Sequence, residues 1–151
     1  MKIYFGCAML GGYPYISLAV LVQFPQSIRS LSCELVSDHQ TRPGVVEAET
    51  KLDPAYIHDR DYSWLLESDA GIFEISNPSL GVGSEISDMI HVGKPVLLLY
   101  REGLEAKVSA YIRGKCGSKY VDSLVVCRPY RDMPAAGEHI SEFLRTYLKP
   151  V

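Results

Sequence analysis

The stretch Asp69–Glu85, DAGIFEISNPSLGVGSE, decides the fold. Its first half, Ala70–Ile75, is a short apolar run without clean alternation, the pattern of a strand covered on both faces in a parallel sheet. Asn77 and Pro78 end that strand, and Gly81 and Gly83 permit a tight backbone that a ligand can approach closely. Val82, Ile86, Met89 and Ile90 then recur at helical spacing, with Glu85 expected in the first helical turn. Strand, glycine-bearing turn and helix direct backbone N–H groups and a positive helix end at an anion. Glu85 brings a carboxylate to the same crevice. Two phosphate motifs fail here: Ile86 stands where a dinucleotide fingerprint needs its third glycine, and no GK[ST] follows to form a P-loop. A first-turn Glu and a glycine turn also arise for structural reasons alone. The rest of the chain has to decide between the two.

Working outward, Lys2–Cys7 reads as a first strand carrying Tyr4, followed by a loop, Ala8–Tyr13, that bends at Gly11-Gly12. Ile16–Ser32 is expected to be a buried helix interrupted near Pro25, and Ser32–Val36 a second strand with His39 beyond its end. The polar, proline-bearing stretch 40–56 reads as an irregular loop over the crevice. Asp59–Glu67 is expected as a short helix turning Trp64, Leu65 and Leu66 inward. After the central strand and helix, which should close near Val92-Gly93, come a strand at Pro95–Tyr100 and an amphipathic helix at Leu104–Ile112. A last strand at Tyr120–Val126 and a closing helix at Ala135–Leu148 complete the reading. Strands alternating with helices predict an α/β fold: three layers around a five-stranded parallel sheet, flavodoxin- or Rossmann-like. Such a sheet binds ligands at the carboxyl ends of its strands, where Tyr4, His39 and the Ser79–Glu85 turn are expected.

Composition narrows the partners. At 151 residues the chain suits one domain over 1–151 with a single core. A net charge of −3 argues against a nucleic acid polymer, which calls for a basic face, but not against a mononucleotide. Cys7, Cys33, Cys116 and Cys127 show no metal-binding spacing, so no metal and no other cofactor is expected. The apolar run Ile16–Phe24 is too short to span a bilayer, and no secretory leader is visible. The expected location is the cytoplasm, with the nucleus left open.

The segment EISNPSLGVGSE resembles the signature of the 2′-deoxynucleoside 5′-phosphate N-hydrolases, a branch of the nucleoside 2-deoxyribosyltransferase family. KIYF at Lys2–Phe5 with Gly11-Gly12, IHDRDYSWL at Ile57–Leu65 and VSAYIRG at Val108–Gly114 extend the resemblance over most of the chain. The resemblance implies hydrolysis of the N-glycosidic bond of a nucleoside 5′-monophosphate, with Glu85 as the nucleophile that forms a glycosyl-enzyme. It implies that Asp61 orients the nucleophile or assists departure of the base, and that the Tyr4 hydroxyl lies beside Glu85. From the residues alone, the commoner reading of Asp61 is a solvated first-turn carboxylate capping its helix, and that of Tyr4 a core aromatic. Asp59, Asp69 and Glu74 stay open as the acid.

The phosphate would fall to Ser79 and the backbone at Gly81 and Gly83. Met9, Leu10, Gly11 and Gly12 would lie against the base, and His39 would line the sugar or phosphate pocket. By the same resemblance Ser109 reaches the phosphate from a second subunit, with Tyr111 near the base, which makes the protein a homodimer. Two positions depart from the family: Leu10 stands where an Arg is common, and Ser84 where an aromatic precedes the Glu. They leave base preference and the 2′ position of the sugar open. A deoxyribosyltransferase and a catalytically silent nucleotide-binding protein are the competing readings.

Overall fold

The computed structural model describes residues 1–122 and 124–147. Five strands, β1 (Lys2–Cys7), β2 (Glu34–Ser37), β3 (Ala70–Glu74), β4 (Val96–Arg101) and β5 (Val125–Tyr130), form one parallel sheet in the order β2-β1-β3-β4-β5. This is the doubly wound order expected from the sequence, with the chain reversing direction beside β1 and β3.

Alternation along the strands sends side chains to two separate cores. Ile3, Phe5, Ile72, Leu97 and Leu99 face α1 (Leu18–Leu21), α2 (Gln23–Ser30) and α7 (Met133–Tyr147), where Phe24, Ile28, Ile140 and Phe143 complete the packing. Tyr4, Phe73, Val96 and Leu98 face α4 (Pro54–Glu67) and α5 (Leu80–His91), which supply Leu65, Val82, Ile86 and Met89. Two shorter helices, α3 (Val45–Glu49) and α6 (Ala110–Gly114), lie in the crossovers.

Several expectations are corrected. The 16–32 segment is helical, but its break falls at Val22, which closes α1 and opens α2; Pro25 sits in the first turn of α2, where its missing N–H costs nothing. The 40–56 stretch is not irregular. A tight turn at His39–Thr41 leads through Gly44, whose φ of +75° suits glycine, into α3. Then Asp53 caps α4, its carboxylate accepting from the N–H groups of Ala55 (2.9 Å) and Tyr56 (3.2 Å), with Pro54 as the first helical residue. Leu66 faces solvent rather than the core.

The helix expected at Leu104–Ile112 is only α6, because Ser109 is its cap and the preceding residues form turns. The last strand begins at Val125, five residues later than expected; Ser123 of that stretch, and Leu148 of the closing helix, lie outside the described residues. At Gly93, with φ of +78°, α5 ends as expected. The N–H of Lys94 reaches Met89 O (3.1 Å) and that of Gly93 reaches Ile90 O (3.0 Å).

At the carboxyl end of β3 a buried polar cluster fixes the exit of the chain. Glu74 accepts from the Ser76 hydroxyl (2.5 Å), the Ser76 N–H (3.1 Å) and the Tyr130 hydroxyl, which arrives from β5 (3.1 Å). Burial pushes the Glu74 carboxyl up to about 7. Asn77 follows, equally buried. Its Oδ1 accepts from the N–H groups of Tyr15 and Ile16, and its Nδ2 donates to Ile16 O, so the loops after β1 and β3 are one rigid unit.

Candidate active site

The loops after β1, β2 and β3 and the crossover before α6 enclose a cavity of about 940 Å³ at the carboxyl edge of the sheet. Its wall includes Met9, Leu10, Gly11, His39, Asp61, Ser79, Gly81, Gly83, Glu85, Ser109 and Tyr111, all singled out from the sequence. Two expected members stand apart. Gly12 shapes the loop through its φ of +75° and does not line the cavity. Tyr4 is not at a strand end but in the middle of β1, fully buried beneath Glu85.

The helix start differs from expectation in a way that matters chemically. Ser79 is the cap of α5, its hydroxyl accepting from the Val82 N–H (3.3 Å), so Gly81 and Gly83 belong to the helix and not to a turn before it. The first N–H groups of any helix lack an intrahelical acceptor, and those of Leu80 and Gly81 stand at the cavity. Glycine there leaves them uncovered. A phosphate placed at this end meets N–H donors, the Ser79 hydroxyl and the positive end of the helix dipole. Lys107, in the same wall, adds a cation that the sequence alone did not single out.

Glu85 is consequently in the second turn of α5, and its setting is not that of a solvated first-turn carboxylate. Its Oε2 is buried without a hydrogen-bond partner. Burial, reinforced by the charge of Asp61, pushes the carboxyl up to about 8, while the Tyr4 hydroxyl acts in the opposite sense. That hydroxyl lies close enough to favour the ionised carboxylate yet short of a well-formed hydrogen bond. Burial and the neighbouring carboxylates in turn keep the Tyr4 phenol protonated. Gly6 explains how Glu85 fits against the sheet. A Cβ at that position would lie 2.6 Å from the Phe73 ring and 3.1 Å from Glu85 Oε2, so only glycine admits both.

Asp61 is the acid that the structure brings to Glu85. Of the alternatives, Asp59 is solvent-exposed beside His58, Asp69 accepts from Lys2 N (2.8 Å) at the start of β1, and Glu74 is spent on Ser76 and Tyr130. Asp61 is paired with Arg60 (2.8 Å), whose guanidinium also holds Glu49 of α3 with two bonds (2.8 and 3.1 Å) and donates to His39 Nε2 (3.2 Å). Burial first, with Arg60 acting in the same sense, holds His39 below its ordinary value, consistent with a neutral ring that accepts through Nε2. Gln40, beside His39, is buried in the cavity wall with its Oε1 unpartnered.

Fold and site together define a doubly wound α/β protein whose crevice is lined by the buried Glu85, by Asp61 and by the start of α5. No protein-family model matches the chain. A protein of Syntrophotalea carbinolica, provisionally named 2′-deoxynucleoside 5′-phosphate N-hydrolase 1, is 33% identical over 144 residues, covering 93% of this chain and 98% of its own. The 5-hydroxymethyl-dUMP N-hydrolase of Esox lucius is 33% identical over 150 residues, 99% of this chain and 97% of its own. The chain belongs to the 2′-deoxynucleoside 5′-phosphate N-hydrolase family. Among solved structures, the CMP N-glycosidase BcmB of Clostridium botulinum shares the fold, with a TM-score of 0.64 and 17% identity over 93% of this chain and 99% of that one.

Proposed function

We propose that this single-domain chain hydrolyses the N-glycosidic bond of nucleoside 5′-monophosphates, releasing free base and the sugar 5-phosphate through a glycosyl-Glu85 intermediate. One observation carries the reading: two carboxyls share one cavity, Asp61 ion-paired to Arg60 and Glu85 buried, with its carboxyl pushed up to about 8. The pair therefore holds one proton between two carboxyls, which is the number the reaction needs.

In the first step Asp61 takes the proton from Glu85 and passes it to the leaving nitrogen of the base as the C1′–N bond breaks, while the ionised Glu85 oxygen forms the new bond to C1′. The Tyr4 hydroxyl stabilises the Glu85 carboxylate as it is unmasked and when it leaves again. In the second step water attacks C1′, its proton passes to Asp61, and the ester to Glu85 breaks. The one-proton pair is restored, and the reaction balances with water alone. Ser79, the Leu80 and Gly81 N–H groups and Lys107 hold the phosphate meanwhile. Binding energy from this non-reacting end positions C1′ over Glu85.

Pairing of two copies belongs to the same proposal. Leu80 is 97% exposed, Tyr111 80% and Leu10 68%, an apolar rim at the cavity mouth that a second copy would cover. Ser109 caps α6 and lines the cavity of its own chain, and complementation between Glu85 and Ser109 variants tests its reach into a neighbour's site. A cytoplasmic location completes the proposal. The test is base release, followed by chromatography, from matched nucleosides and nucleoside monophosphates by the native protein and Glu85→Gln. Release from monophosphates only, lost in the variant, is expected. Release from nucleosides alone, or base exchange without net hydrolysis, would overturn the reading.

A further inference from the structure

Arg60 stands at the meeting point of every charged element around the acid. Its Nε donates to Asp61 Oδ1 (2.9 Å), its two terminal nitrogens grip both oxygens of Glu49 (2.8 and 3.1 Å), and one of them also reaches His39 Nε2 (3.2 Å). The guanidinium lies over the Trp64 ring, 4.8 Å from its centroid, and His39 packs on the same ring at 5.2 Å. The cluster is shielded from water: Glu49 is buried although charged, and the Arg60 and Asp61 side chains are only 15% and 16% exposed. Such pairs are stronger and geometrically stricter than surface ion pairs, because solvent screens them less and offers fewer other partners.

Three elements meet through this one side chain. Arg60 and Asp61 are neighbours on α4, Glu49 ends α3, and His39 opens the turn after β2. Neighbouring residues on a helix point about 100° apart, so α4 alone does not bring the Arg60 and Asp61 side chains together. The guanidinium does so by bending back to Asp61 while Glu49 and Trp64 fix its plane. The Asp61 carboxyl is then held toward the cavity instead of sampling its solvent rotamers.

We propose that Arg60 is a positioning residue for the hydrolysis: braced by Glu49 and Trp64, it holds the Asp61 carboxyl at the place where the departing base needs it. The proposal rests on the N-glycosidase reading, with Asp61 serving the leaving group. Neither Arg60 nor Glu49 touches the substrate in this scheme. Lysine cannot replace the arginine, since one ammonium cannot hold two carboxylates in a fixed plane.

The test compares the native protein with Arg60→Met, Arg60→Lys, Glu49→Gln and Asp61→Asn, and with Arg60→Met combined with Asp61→Asn. Misplacing a catalytic group by about an ångström costs on the order of 100-fold in rate. Arg60→Met is therefore expected to lower kcat by roughly 10- to 100-fold with KM changed less than about threefold. Arg60→Lys should recover little of that loss, and Glu49→Gln should lose a smaller part. In the Asp61→Asn background, Arg60→Met should cost nothing further, because its effect passes through Asp61. Losses that multiply in the double variant, or a change confined to KM, would overturn the proposal.

A parallel readout does not depend on activity. Crystal structures of Arg60→Lys and Glu49→Gln, both of which keep a charge in the cluster, are expected to show Asp61 turned out of the cavity or split between rotamers. Asp61 unmoved in both overturns the proposal, whether or not the native protein is active. Failure of the native protein to release base from any monophosphate overturns the N-glycosidase reading separately.

Discussion

Replacing Glu85 with Gln should make the protein more stable while destroying its activity. The carboxyl ordinarily titrates at 4.5, and burial beside Asp61 pushes it up to about 8 in the folded state. A tenfold change in proton affinity is about 1.4 kcal/mol, so the folded state disfavours the ionised form by roughly 5 kcal/mol. The sign follows from linkage. Below pH 4.5 both folded and unfolded states carry the proton and nothing is lost. Between 4.5 and 8 only the unfolded chain gives it up, so stability falls as pH rises; above 8 the loss levels off. Gln keeps the shape without an ionisable group, so the variant escapes that loss. Its advantage should be near zero at pH 4, about 3 kcal/mol at pH 7 and nearly 5 kcal/mol at pH 9 as an upper bound. Urea unfolding of both proteins across this range measures it, with the difference cancelling other titrating groups such as Glu74. A difference that stays flat from pH 4 to 9 would refute the buried, proton-bearing Glu85 on which the chemistry depends.

Other outcomes follow from the same geometry. Ser79→Ala should weaken monophosphate binding by roughly 10- to 100-fold and leave nucleoside binding nearly unchanged, since a hydrogen bond to a charged group is worth about 1.5–3 kcal/mol; equal losses by calorimetry would remove Ser79 from the phosphate site. Because the pair works with one proton, kcat/KM should hold up to about pH 8 and fall above it as Glu85 loses that proton; a profile that rises through pH 8 would mean the free enzyme must be fully deprotonated. Mixing Glu85→Ala with Ser109→Ala under conditions of subunit exchange should restore about a quarter of native sites if Ser109 serves a neighbour, since about half of the dimers are mixed and each has one intact site. No recovery despite exchange confirmed by mass would assign Ser109 to its own chain.

The sheet order and the cavity were legible because both follow from local signals. Uninterrupted apolar runs mark strands covered on two faces, and helical spacing after Ser79 marks the crossover. The misplacements have physical causes. Gly81 and Gly83 argued against a helix by propensity, yet the capped first turn accepts them, which moved Glu85 one turn deeper and into burial. The start of β5 depends on its partner, since register with β4 pairs Val96 with Val125 and Arg101 with Tyr130. Pro129 lies inside that strand without harm because β5 is an edge. Asp53-Pro54 is a legible helix start that the irregular reading of 40–56 passed over. The clamp of Arg60 on Glu49 and His39 was beyond reach: 11 and 21 residues apart in sequence, these groups meet only through tertiary packing.

The central claim is tested most directly by turnover of a nucleoside 5′-monophosphate in ¹⁸O-labelled water, with product sugar phosphate and free base measured together by mass spectrometry. One equivalent of free base for each sugar 5-phosphate, with a single ¹⁸O in the sugar product that stays off the phosphate, is the predicted result. Label on the phosphate with the glycosidic bond intact, or no base released from any monophosphate, would contradict it.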